Sequence, residues 1–70
     1  DTDRLARDID EARSLLDRTE GMELMVPYLR TRLSDTLARA EQTPAGSADM
    51  ESIMSTLEDL MNQVRENAGL

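Results

Sequence analysis

Carboxylates are the only abundant side chains in this chain able to ligate a metal or move a proton, and they recur in two close pairs. Asp1 with Asp3, and Asp8 with Asp10, stand in an Asp-x-Asp spacing. That spacing can open a calcium loop, but neither the central Gly nor the closing Glu of such a loop follows. On a helix, residues two apart point to different faces. Neither pair then converges on an ion, and a solvated helix face is the better reading. Ser and Thr supply hydroxyls, yet the chain has no His, Cys or Lys, so none has its usual activating base. Paired carboxylates can cleave glycosides when a cleft desolvates them, and a helical domain this small offers no such cleft. No Gly-rich phosphate loop is present. The expectation is no enzyme activity, no cofactor, no metal site and no small-molecule substrate.

The elements that would position any functional group are helices. Among large apolar residues the chain has ten Leu, five Met, two Ile and two Val, with Tyr28 its one aromatic. This composition suits helix packing and lacks the β-branched and aromatic enrichment of strands. The fold class is therefore all-α. The 70 residues form one small helical domain, or a fragment excised from a longer chain. The longest run of large apolar residues, Leu24-Met25-Val26, is far short of the roughly 20 needed to cross a bilayer. No targeting segment stands out, which leaves the compartment open with a lean toward the cytoplasm. A net charge of −7 repels phosphate backbones and anionic membranes alike, so neither nucleic acid nor membrane is an expected partner.

Three helical segments follow in order. The first, over 3–20, places Leu5, Ile9, Ala12 and Leu16 on one face, widened by Leu15. Opposite charges four apart, such as Arg4 with Asp8, Arg7 with Glu11 and Arg13 with Asp17, predict ion pairs along this helix. The second segment, about 27–42, starts with Pro27 in its first turn and carries the stripe Met22, Val26, Leu29, Leu33, Leu37 and Ala40. The third, 48–68, has the strongest pattern. Met50, Leu57 and Val64 recur every seven residues, Ile53 and Leu60 follow the same step, and Met54 and Met61 widen the stripe. Ser47 is its expected N-cap and Gly69 its left-handed terminator. Asn67, in the row of Ile53 and Leu60, suits a register-setting contact or the C-terminal cap.

Two breaks divide these segments. Thr43-Pro44-Ala45-Gly46-Ser47-Ala48 is a short linker that predicts an antiparallel hairpin of the second and third helices. The stretch from Gly21 to Pro27 joins two helix-breaking residues through Met22, Leu24, Met25 and Val26, and shifts the heptad phase by three residues. It reads as a break or a kink, with a break slightly favoured. Its apolar content predicts a compact bend buried against the third helix or against a second chain. Residues 24–40 are basic, with Arg30, Arg32 and Arg39 against Asp35, and residues 43–70 are acidic, so the second and third helices suit side-by-side packing.

A chain this small rarely stabilises itself without disulfides, a metal or a partner. With no Cys and no His, a partner is the device left. The leading expectation is a structural module that self-associates through apolar helix faces, most simply as a dimer with bundle or coiled-coil-like packing. The alternative is an adaptor, small chaperone or regulator that holds a different helical protein in an apolar groove. The residues expected to serve as core or partner contact are Leu5, Ile9, Leu16, Met22, Met25, Val26, Leu29, Leu33, Met50, Ile53, Met54, Leu57, Leu60, Met61 and Val64.

Overall fold

The computed structural model describes residues 2–70, so the Asp1 half of the first Asp-x-Asp pair lies outside the described residues. Three helices form: α1 over Thr2–Arg18, α2 over Leu29–Gln42 and α3 over Met50–Ala68. Each packs against both of the others, and among the described residues there is no strand. Polar contacts fix the directions. Arg4 near the start of α1 meets Glu51 and Glu58 in the first half of α3, and Glu11 meets Arg65 near its end. Thus α1 and α3 run parallel. Arg30 at the start of α2 instead meets Thr19 and Leu16 at the end of α1, so α2 runs antiparallel to both. The result is an up-down-up bundle of 36 × 18 × 16 Å.

The third helix behaves as its pattern requires. Met50, Ile53, Met54, Leu57, Leu60, Met61 and Val64 are all buried, because a three-in-seven stripe is wide enough to face two neighbours. At its end Gly69 adopts φ 71°. The Leu70 N–H donates to the Arg65 carbonyl and the Gly69 N–H to that of Glu66, the paired bonds of a Schellman cap. Its start differs from expectation by two residues. The Ser47 hydroxyl accepts the Asp49 N–H, but the helix begins at Met50 after a turn that Ser47 opens. In the hairpin linker, Thr43 is extended, at φ −95° and ψ 130°. Pro44 excludes helical angles from the residue before it.

On α1 the most deeply buried line is Asp8, Ala12, Leu15 and Thr19, while Leu5, Ile9 and Leu16 pack along its flank, partly buried. The helix lies in the groove between α2 and α3, so its buried arc is wider than the apolar stripe alone. The charge pairs expected along α1 are redirected. Arg4, Glu11 and Arg13 find salt bridges on α3 and α2, and Arg13 also lies 4.0 Å from Asp10 within α1. Packed helices lie close enough for long Arg side chains to reach across. That geometry admits a forked contact that spacing along one helix does not.

The first break is complete. α1 ends at Arg18, two residues before the expected boundary, and a turn through Thr19–Met22 follows with Gly21 at φ 78°. Thr19 is fully buried, and its hydroxyl donates to the Leu15 carbonyl at 2.7 Å. Arg30 reaches back from α2. Its Nε donates to the Thr19 hydroxyl at 2.9 Å and its Nη2 to the Leu16 carbonyl at 2.7 Å. A guanidinium is thus placed where the last carbonyls of a helix lack partners and its dipole is negative. Replacing Arg30 with Met retains the apolar stem and removes these donors. We expect a loss of about 1–2 kcal/mol, read as a fall of roughly 5–10 °C in the thermal midpoint by circular dichroism.

Candidate functional site

Two places on the bundle depart from ordinary helix packing. The first is the polar junction between α1 and α3. Arg4 grips Glu58 through both forks, Nε to Oε2 at 2.9 Å and Nη2 to Oε1 at 2.7 Å, while Nη1 reaches Glu51 at 3.1 Å. Beside them Asp8 is only 8% exposed, and its Oδ2 is buried without a hydrogen-bond partner. Burial pushes the Asp8 carboxyl up to about 6, helped by its contact with Glu58 and by the charges of Glu58 and Glu11, with Arg4 opposing. Glu58 is held down to about 2, first by Arg4 and then by Asp8 as a donor. The two carboxyls are a coupled pair in which the proton belongs on Asp8, where it supplies the donor an ionised pair lacks.

Split carboxyl pKa values can mark acid–base catalysis. Here the pair lies in a helix seam. The groove at that end of the bundle runs between Thr2, Leu5, Ser47 and Met50 and includes neither Asp8 nor Glu58. The junction is a register contact. Its sign of pH dependence follows from the two shifts. Asp8, raised from 3.8 to about 6, costs nothing below pH about 4 and costs stability progressively up to about 6. Glu58, lowered from 4.5 to about 2, contributes stability above about 4.5 that is lost as pH falls toward 2. Asp8→Asn should therefore raise stability by about 1 kcal/mol at neutral pH, after allowance for screening. Its advantage should shrink on acidification toward pH about 4. Urea midpoints of both chains across that range check it.

The second place is the loop between α1 and α2, at the bundle end formed with the C-terminus of α3. Leu24 turns inward and packs on the core. The Val26 N–H donates to the Asn67 Oδ1 at 2.9 Å, and the Asn67 amide donates to the Gln63 carbonyl. Asn67 therefore pins the loop to α3, a role richer than the helix cap its position suggested. Around this anchor the apolar side chains turn out. Met25 is 89% exposed, Tyr28 76%, Val26 47% and Met22 42%. Met22, Leu24, Val26, Pro27, Tyr28 and Leu29 line an open groove of about 330 Å³, with Glu23, Arg30 and Thr31 at its margins.

Tyr28 also bears backbone strain. It precedes α2 at φ 72° and ψ −1°, with its carbonyl accepting the first helical bond from the Arg32 N–H at 2.8 Å. A bulky residue in the left-handed region costs roughly 1–2 kcal/mol. The exposed ring recovers little of that by burial. Pro27 consequently sits outside α2 rather than in its first turn.

The expected contact residues divide between core and surface. Leu29, Leu33, Met50, Ile53, Met54, Leu57, Leu60, Met61 and Val64 are core, and Leu5, Ile9 and Leu16 border it. Met22, Met25 and Val26 do not form the expected buried bend within the chain. A backbone tied down through Val26 and Leu24 leaves these neighbouring side chains directed to solvent. The sequence pattern puts Asp8 on a solvated face, marks Arg30 only as a charge and gives Thr19 no role, because the partners of all three lie on other elements. Among the described residues no cluster of His, Cys, Asp and Glu is arranged to hold a metal, and no helix is long and apolar enough to cross a membrane. Comparison with family models, curated proteins and solved structures gives no match for this chain. At the strained position, Tyr28→Gly should raise stability by about 0.5–1 kcal/mol because Gly accepts φ near 70° freely. Denaturant unfolding checks it, with Tyr28→Val expected to lower stability.

Proposed function

We propose that this chain is a structural interaction module that self-associates, and that its contact surface is the 22–28 loop at the end of the bundle. The observation that carries this reading is Met25, 89% exposed on a face shared with Tyr28 at 76%. The helix stripes that first suggested self-association are already occupied inside one chain, so the contact moves to the one end where large apolar side chains cluster in solvent. Large apolar side chains exposed together on one loop are the kind of surface that marks an interaction site. The seven residues of 22–28 fall well short of the roughly 20–30 residues a side of a standard stable complex. The association is accordingly weak and reversible, and it is built to be multiplied by tethering or high local concentration.

Charge gives this reading a distinct signature. Two copies at −7 each repel, and salt screens that repulsion over about 8 Å at physiological ionic strength. Salt should therefore tighten the association, opposite to its effect on an interface built on ion pairs. Sedimentation velocity from micromolar to millimolar chain should show a concentration-dependent shift from monomer to dimer that grows with added salt. A chain that stays monomeric throughout, at low and high salt, overturns the reading and leaves the face for a different protein.

A further inference from the structure

The 22–28 loop carries a protruding side chain directly beside a recess, and we propose that the two are halves of one contact. Met25 of one copy enters the groove of a second copy, whose own Met25 enters the first about a twofold axis. This rests on the self-association reading and adds its geometry. Met25 lies outside the groove lining and is 89% exposed, while its neighbours Leu24 and Val26 are part of the lining. Knob and recess therefore occupy one short segment, which is the self-complementary arrangement an isologous dimer requires.

The chemistry of the recess fits the knob. About 330 Å³ accommodates an unbranched thioether, and Met adapts to an irregular opening better than a branched side chain. The Tyr28 ring stands at the groove wall, held there by its left-handed backbone, and offers the sulfur an aromatic contact. Opposite charges flank the face. Glu23 precedes Met25, and Arg32 lies one helical turn beyond Tyr28. Both are exposed, and neither takes an ion-pair partner among the described residues. A twofold pairing can bring Glu23 of each copy toward Arg32 of the other; these exposed rim pairs select the second copy as occupant but add little affinity, so the repulsion of two copies at −7 still sets the sign of the salt response.

The test uses the full chain and substitutions at three exposed positions, Met25, Tyr28 and Asp59. Met25→Ser should weaken dimerisation roughly a hundredfold or more, the loss expected for one buried Met per copy counted twice. Asp59→Ser, on an exposed part of α3, should leave it unchanged. Because the chain has no Cys, introduced thiols report contacts cleanly. Mixing Met25→Cys with Tyr28→Cys chains under mild oxidation should give the mixed disulfide faster than mixing Met25→Cys with Asp59→Cys. A dimer that survives Met25→Ser undiminished, or shows no preference for the Met25–Tyr28 disulfide, overturns the seat while self-association stands. A wild-type chain that remains monomeric overturns both.

Discussion

The architecture depends on the way Arg30 closes the end of α1. A helix that stops in a small bundle leaves several carbonyls without partners, and here that of Leu16 is taken by a side chain of the next helix. The Thr19 hydroxyl takes the Leu15 carbonyl and Arg30 takes that of Leu16 while holding the hydroxyl in place. The cap is supplied from the far side of the loop, so it fixes the end of α1 and the start of α2 together. Without a break here, α1 would run on into α2 as one rod, and the wide stripe of α3 would have one neighbour in its own chain. The cap is what lets a single copy satisfy the third helix.

This decides how much of the structure can be read from residue order. The third helix is legible except for its start at Met50, because every member of its buried stripe is apolar and no breaker interrupts it. The hairpin is legible for the same reason, with Pro44 and Gly46 marking its turn. The first helix is half legible. Leu5, Ile9, Ala12 and Leu16 give the correct side, but the buried line passes through Asp8 and Thr19. Hydropathy counts those residues as exposed, since what makes their burial tolerable is a partner on another element, Glu58 in one case and Arg30 in the other.

The loop shows the converse failure. Met22, Met25 and Val26 are apolar, and apolar content is a signal for burial only when the backbone can aim the side chains inward. Here the backbone is committed elsewhere, through Val26 to Asn67 and through Leu24 to the core. The left-handed angle at Tyr28 had no sequence signal at all, since Gly or Asn is the residue type that announces such a position. The charge pattern was legible in sign but not in partner. The basic second helix and acidic third helix do lie side by side, yet Arg4, Glu11 and Arg13 of α1 supply the salt bridges between helices described above. They set its direction relative to its neighbours rather than adding much stability, as expected for partly exposed pairs.

The two ends of the bundle pose the same structural problem, a change of direction between helices, and solve it with opposite chemistry. The 43–49 end uses Pro, Gly, Ser and Ala, residues that turn readily and leave little apolar surface in water. The 19–28 end uses Gly21 once and then places two Met, a Val and a strained Tyr in solvent. Folding alone favours the first solution at both ends, because strain at Tyr28 and hydration of Met25 each lower the stability of the isolated chain. A small domain has little stability to spare. The unequal ends therefore divide the apolar residues of one short sequence: those on the helix faces complete the core, and Met22, Met25, Val26 and Tyr28 of the end loop stay in solvent.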